Sequence, residues 1–469
     1  MGRILGAYLM PHPPIILPEI GKGEERKVQK TEESMQKIAK EIKEKSPQLI
    51  IIVTPHGPLF SDAIAILYKS VLKGDLGRFD CKEIKFIKDS DIELVNDISR
   101  RAGEKGIMCA LVDEDMAKQY KISSKLDHGA MVPLYFIEKE YREYKLIHIT
   151  YGLLAREDLY QFGKIIQDAI ENHSENAVII ASGDLSHRLT AGAPAGYSSK
   201  GKEFDGLLLQ LLEHGDIEGI LALDHTFAEE AGECGLRSID VMLGACDGYD
   251  IKSHVLSYEG PFGVGYGVVK IDMENKNFRK SSVEKLYQNR AHRIRQIRGN
   301  EDQYVALARR ALESYVESGE VVMEGNGIIK ELKEQKAGVF VSIKKHGQLR
   351  GCIGTIHPTE SCVMKEIIRN AIQAGTQDPR FFPVEEDELE ELTYSVDVLK
   401  EPEPIQSIDE LDEKRYGVIV TSGRRSGLLL PNLENVNSVE EQVMIAKQKA
   451  GIKEGEAFKL QRFEVIRHK

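Results

Sequence analysis

Apolar positions along the chain fall into two kinds of run. The first kind is short and unbroken: "RILGAYLM" (3–10), "LIIIVT" (49–54), "KLIHIT" (145–150) and "AVIIAS" (177–182). Runs of this length, rich in β-branched residues and bounded by turn signals, predict buried strands. The second kind is periodic, with apolar residues at helical spacing among charges over 26–45 and 156–172. Strands alternating with helices predict an α/β domain over 1–273, with a largely parallel or mixed sheet flanked by helices. "YEGPFGVGYGVVKIDM" (258–273) reads as a glycine-rich loop and a last strand.

The pattern changes after that point. Residues 276–299 hold eight Lys or Arg and one Glu, and the stretch 274–299 reads as a basic, partly helical connector. "YVALARRALESYVESG" (304–319) has helical spacing and stops at a glycine. "AGVFVSIKKHGQLRGCIGTI", "TYSVDVL" and "YGVIVTSGRRSGLLLP" then read as strands and hairpins. This order predicts a second domain over 300–469 of α+β type.

At 469 residues the chain is too long for one ordinary core, which agrees with two domains. Hydrophobic content of 41% and charged content of 29% are those of a globular protein. A net charge of −12 argues against nucleic acid as the main partner. No apolar run approaches the roughly 18 residues needed to span a bilayer. No basic segment followed by a long apolar stretch opens the chain, so no signal peptide and a cytoplasmic location are expected. The six cysteines are scattered without a C-x-x-C pair, which suits reduced thiols rather than disulfides or a zinc finger. Nine of the thirteen histidines precede residue 260, so histidine chemistry belongs to the first half.

Strand ends carry that chemistry. "MPHPP" places His12 between prolines, which fix φ and lack a donor, so the segment is a stiff loop at a strand end. "LIIIVTPHGP" delivers His56 in the same way, and "AVIIASGDLSHR" delivers Asp184 and His187. In parallel α/β sheets, ligands bind outside the carboxyl ends of the strands. Two neutral imidazoles with one anionic group form a metal site that leaves positions open for oxygen or substrate. The third ligand is open between Asp184, Glu233 and Cys234, the last two in "AGECGLRS" (231–238). A carboxylate suits non-haem Fe(II), whereas a thiolate shifts the preference toward Fe, Zn or Cu. His128 in "LDHGAMVPL" is placed to contact substrate, and His187 to act as general base. His148, His173, His214, His225 and His254 lack such surroundings and read as structural or surface groups. In the second half, Cys352 with Arg350 and His357 suggests a reactive thiol, because nearby cations lower a thiol pKa.

"PHPP", "TPHGP", "LDHGAMVPL" and "SGDLSH" resemble the LigB-type class III extradiol dioxygenase superfamily and its Memo branch, over residues 1–270. The resemblance implies Fe(II) held by His12 and His56, with His128 and His187 assisting catechol deprotonation and ring cleavage. The third ligand is a glutamate in LigB-type enzymes and a cysteine in Memo-type proteins, where Cys234 matches. "LRGCIGT", "DPRFFPV", "YGVIV" and "GRRSGLLLP" resemble the AMMECR family over roughly 300–469. The fusion of the two is similar to the protein A family of AmmeMemoRadiSam systems. That similarity implies a separate radical SAM partner, since this chain has no C-x₃-C-x₂-C of its own. Three functions follow as expectations. The first is a non-haem iron enzyme that cleaves an aromatic diol or enediol with O₂. The second is a metal-binding accessory protein of a radical SAM system, and the third a zinc-dependent hydrolase.

Overall fold

The computed structural model describes residues 1–277, 281–322, 329–433, 436, 438–453 and 455–469. Two compact units divide the chain, Met1–Gln288 and Asn289–Lys469.

The first unit is built on β1 (Ile4–Met10), β2 (Leu49–Thr54), β3 (Ile64–Leu67), β4 (Val71–Leu76), β5 (Cys81–Asp89), β6 (Cys109–Val112), β7 (Lys145–Thr150), β8 (Ala177–Ser182), β9 (Tyr249–Glu259) and β10 (Tyr266–Lys276). Eight of these form one sheet in the order β6-β3-β7-β2-β8-β1-β10-β9. The central pairs β7-β2, β2-β8 and β8-β1 are parallel, while β1-β10 and β10-β9 are antiparallel. The sheet is therefore mixed, as the run pattern predicts.

Every residue of β2 and β8 is buried, which is why both read as unbroken apolar runs. Successive side chains point to opposite faces and feed two cores. On one face, Leu9, Ile51, Val53 and Ile179 meet α1 (Arg156–Asn172) and α2 (Leu236–Gly244). On the other, Tyr8, Met10, Ile50 and Ile180 meet helices Gln29–Lys45 and His128–Glu140. The Gln29–Lys45 helix buries Met35, Ile38, Ala39 and Ile42, the 3–4 spacing that places side chains on one stripe.

The strands β4 and β5 form a separate two-stranded ribbon, joined by a short turn at Gly77–Phe79. Its inner residues Leu72, Leu76, Cys81 and Phe86 belong to the second core. Sequence patterning did not reveal this ribbon.

Part of the basic stretch is a helix, Val283–Gly299, while residues 278–280 lie outside the described residues. Among the described residues, the second unit has two four-stranded antiparallel sheets. β11 (Val339–Lys345), β12 (Gln348–Gly354), β13 (Leu392–Leu399) and β18 (Val465–His468) form one. β14 (Glu403–Ile405), β15 (Gly417–Ser422), β16 (Arg425–Leu429) and β17 (Lys459–Phe463) form the other. Helices Gln303–Ser318 and Val363–Thr376 cover the first sheet, and Val439–Lys449 covers the second. This is an α+β arrangement. The helix read at 304–319 runs Gln303–Ser318 and is capped by Gly319 at φ +73°, where glycine avoids the Cβ clash. Among the described residues, no helix is long and apolar enough to cross a membrane.

Candidate metal centre

The carboxyl ends of β1, β2 and β8 lie side by side at the middle of the sheet. Two residues beyond each end stands a polar side chain: His12, His56 and Asp184. Because Pro11, Pro13 and Pro14 cannot extend the ladder, the chain leaves the sheet at Met10 and turns at Pro14–Ile16. Asp184 then accepts the backbone N–H of His12 at 2.9 Å, tying the ends of β1 and β8 together. No helix follows Asp184 directly; the next begins at Ser199, so the carboxylate is not a helix cap.

Three imidazoles converge above these ends. His12 Nε2 and His56 Nε2 are 2.9 Å apart, and ligand nitrogens of His12, His56 and His128 all lie within 4.8 Å of one another. Metal–nitrogen bonds of about 2.1 Å place two donors at a right angle about 3 Å apart, so this spacing fits a single ion. His12 is buried, His128 half-buried and His56 exposed, so the group opens to solvent on the His56 side. The His56 and His128 rings stack at 4.3 Å, and His128 stands on the first turn of helix His128–Glu140.

Tautomers are set from behind. His12 Nδ1 lies 2.9 Å from Ser182 Oγ, and that hydroxyl donates to the Gly129 carbonyl. Ser182 is thereby left as an acceptor, so Nδ1 of His12 carries the proton and Nε2 presents a lone pair to the group. Burial, reinforced by the His56 ring, pushes the His12 pKa far down. Burial and the neighbouring imidazoles pull His56 and His128 down to about 4 each. Neutral imidazoles converging at this spacing make a donor set suited to a transition metal.

The structure separates the remaining candidates. Cys234 Sγ lies 3.7 Å from His12 Nε2 and also contacts the Asp184 backbone. Glu233 turns the other way: its carboxylate accepts the N–H of Leu236 at 2.6 Å, at the start of α2. Of the two neighbours, Cys234 therefore faces the histidines. Burial raises the Cys234 thiol well above its usual range, with Asp184 and Glu233 adding to it. Asp184 is also buried, and burial raises its pKa against the pull of His187. Its Oδ2 stands 4.0 Å from both His12 Nε2 and His187 Nε2. His187 Nδ1 lies 2.8 Å from the Gly232 carbonyl, which fixes the proton there and leaves Nε2 free.

The segments before Asp184 and after Cys234 meet at two glycines. A Cβ on Gly183 would sit 2.2 Å from the Gly235 Cα, a distance no side chain tolerates. The approach of these two loops depends on that pair.

Sequence reading treats His148 as a structural or surface group and misses its partner. It is completely buried on β7, with Nε2 2.6 Å from Asp127 Oδ2. Asp127 also accepts from Thr54 Oγ1 and caps the helix that starts at His128. Burial alone would raise the Asp127 carboxyl, but the hydrogen bond and charge of His148 hold it well below the usual range. A polar residue inside an apolar strand was the available signal, because a buried imidazole requires a partner. The rim was missed too: Phe79, from the ribbon turn, lies 5.5 Å from the His128 ring.

In the second unit, the structure does not bring Arg350, Cys352 and His357 together. Arg350 pairs with Glu388 and donates to the Phe382 and Pro383 carbonyls. His357 is exposed in the loop after β12. Burial raises the Cys352 thiol, the reverse of the lowered value expected from the sequence, and Ser342 Oγ donates to it at 3.3 Å. The glycines of "LRGCIG" serve packing, since a Cβ on Gly351 would meet the Ala374 carbonyl at 2.1 Å.

Comparison with known proteins accounts for both units. The LigB family, described as the catalytic LigB subunit of aromatic ring-opening dioxygenase, matches residues 6–269, and the AMMECR1 family matches 305–468. Protein CA_C1420 of Clostridium acetobutylicum is 48% identical over 465 residues, covering 99% of each chain. A Thermotoga maritima protein is 50% identical over 171 residues, 36% of this chain and 98% of its own. Among solved structures, an uncharacterized protein of Pyrococcus horikoshii, PH0010, is 34% identical with TM-score 0.33, covering 35% of this chain and 88% of its own. The matches and the mixed sheet with its histidine-bearing strand ends agree: the chain belongs to the LigB family over its first unit and carries an AMMECR1 domain in its second.

Proposed function

We propose that the first unit is a non-haem metal oxygenase of the extradiol ring-cleavage type, acting on a catecholic or enediol substrate with O₂. The observation that supports this reading is the convergence of His12, His56 and His128 nitrogens at one solvent-facing opening, beside a His187 with a free Nε2. A bound ion, Fe(II) by this reading, would supply the redox chemistry with O₂ that no side chain provides. His12 and His56 are the protein donors, His12 kept neutral by its burial and His56 helped by the neighbouring imidazoles. Cys234 stands nearest as the next donor. His187 accepts a diol proton at Nε2, and Asp184 beside it stabilises the resulting imidazolium. His128 contacts the substrate hydroxyl on the open side.

The deciding experiment is metal analysis of anaerobically purified protein beside His12→Ala and His56→Ala, followed by oxygen uptake on catechols. About one iron per chain, lost in both variants, with uptake abolished by His187→Gln, is the expected outcome. Stoichiometric zinc without oxygen uptake would replace this reading with a hydrolase. A folded protein with no metal would remove it altogether.

A second reading is favoured by one feature, the Cys234 thiol facing His12. A soft donor there suits a metal-binding accessory protein that does not cleave rings and serves a separate radical SAM enzyme. The AMMECR1 unit would then supply partner contacts. His187→Gln distinguishes the two, since an accessory protein keeps its partner binding when that base is lost.

A further inference from the structure

The loops that carry His187 and Cys234 are laced together. Asp184 directs its backbone N–H at Cys234 Sγ, 3.4 Å away, and the Cys234 N–H returns to the Asp184 carbonyl at 3.3 Å. The N–H of His187 and its Nδ1 both reach the Gly232 carbonyl, at 3.2 and 2.8 Å. Between these contacts stands Ser186, completely buried. Its hydroxyl donates to the Ala231 carbonyl at 2.7 Å while accepting the Arg188 N–H at 3.0 Å. Its carbonyl accepts the Gly265 N–H at 2.8 Å, and Asp205 Oδ1 holds its own N–H at 2.8 Å. Every donor and acceptor group of this serine is engaged, each with a different partner.

Asp205 belongs to the helix Ser199–His214 and is itself fully buried, its second oxygen taken by the Tyr258 hydroxyl at 2.7 Å. That helix approaches so closely that a Cβ on Gly201 would sit 2.4 Å from Ser186 Oγ. Among the described residues Asp205 has no ion pair, and burying a carboxylate for two hydrogen bonds alone is costly. Such a cost is met where a fixed position matters more than stability. Much of the lacing runs from backbone to backbone, where no side-chain replacement removes it. The Ser186 hydroxyl is a side-chain link that belongs to neither His187 nor Cys234.

We infer that Ser186, anchored by Asp205, is a positioning residue that holds His187 and the Cys234 loop as one unit, so that the orientation of the base and the grip on the metal change together. This rests on the reading of His187 as base and Cys234 as donor, but its test involves no turnover. Absence of ring cleavage would therefore leave it standing, and its own failure would leave ring cleavage untouched.

The test uses the full chain loaded with Zn(II), which is diamagnetic, as wild type, Ser186→Ala, Asp205→Ala and Asp205→Asn. Ring-nitrogen NMR of labelled histidine in alkaline buffer reads the His187 tautomer, with His187→Gln identifying its signals. A competing chelator reads Zn(II) affinity, and urea unfolding reports the fold. Wild type is expected to show His187 protonated at Nδ1 alone. Ser186→Ala should show both tautomers and bind Zn(II) about tenfold more weakly, the low end for losing an outer partner, with unfolding still cooperative. Asp205→Ala should do the same, and it decides the question if Ser186→Ala does not fold. Asp205→Asn keeps an acceptor for the Ser186 N–H and should return both readings to wild type. A folded Ser186→Ala with one tautomer and unchanged affinity would overturn the inference. So would a change in one reading without the other, since loops that move independently are not one unit. Mixed tautomers in wild type, or no Zn(II) held by it, would overturn it as well.

Discussion

His148 Nε2 lies 2.6 Å from Asp127 Oδ2, with the imidazole fully buried and the carboxylate nearly so. Through Asp127 this contact reaches Thr54, at the end of β2, and the first turn of the helix that bears His128. One buried pair thus braces two of the three converging histidines. His148→Ala would leave a carboxylate buried without its main partner, at a cost of about 3–5 kcal/mol. Urea unfolding should show that loss, and Asp127→Asn should cost less because its amide oxygen still accepts from Thr54 and Ala130.

Ser182 governs which nitrogen of His12 faces the group. Ser182→Ala removes the acceptor for Nδ1–H and releases the ring to the wrong tautomer. Metal affinity should fall by roughly 10–100-fold, the usual consequence of losing such an outer partner. Titration against a competing chelator measures it, and retained cooperative unfolding would show that the fold is intact.

Glu233 and Cys234 are adjacent but should behave differently. Glu233→Gln weakens a helix-start hydrogen bond to Leu236 N and should cost about 1 kcal/mol without changing metal content. Cys234→Ala should weaken metal retention with little effect on stability. The reverse pattern in a paired unfolding and metal assay would reassign the third donor.

Asp205 predicts a pH dependence outside the centre. Burial raises its carboxyl to about 6, against hydrogen bonds from Tyr258 and the Ser186 N–H. The folded state therefore favours the protonated form more than the unfolded chain does. That contribution is complete below about pH 4 and is lost as pH rises through about 6. Asp205→Asn should flatten the stability profile between pH 4 and 7, measured by denaturant midpoints.

The sequence exposed residues whose neighbours announce them. His12, His56, Asp184 and His187 follow apolar runs and sit among Pro and Gly, so their place at strand ends could be read directly. Glu233 and Cys234 could not be separated, because the choice depends on which way a two-residue loop turns when it reaches Leu236. His148 within "KLIHIT" reads as structural, but its partner was hidden because Asp127 arrives from a distant segment. The ribbon bearing Phe79 was hidden because Gly74 interrupts β4 and charged residues break up the apolar pattern of β5. In the second unit, "LRGCIGT" invited a chemical reading, yet Glu388 and two carbonyls draw Arg350 away from Cys352.

Cys234 and His12 touch across a separation of 222 residues. A ribosome adding about 5–20 residues per second needs on the order of 10–45 s to pass from one to the other. During that interval the nascent chain displays His12 and His56 before the loop carrying the thiol exists. The thiol is thus the last of these neighbours to be made, after all three converging imidazoles have already left the ribosome.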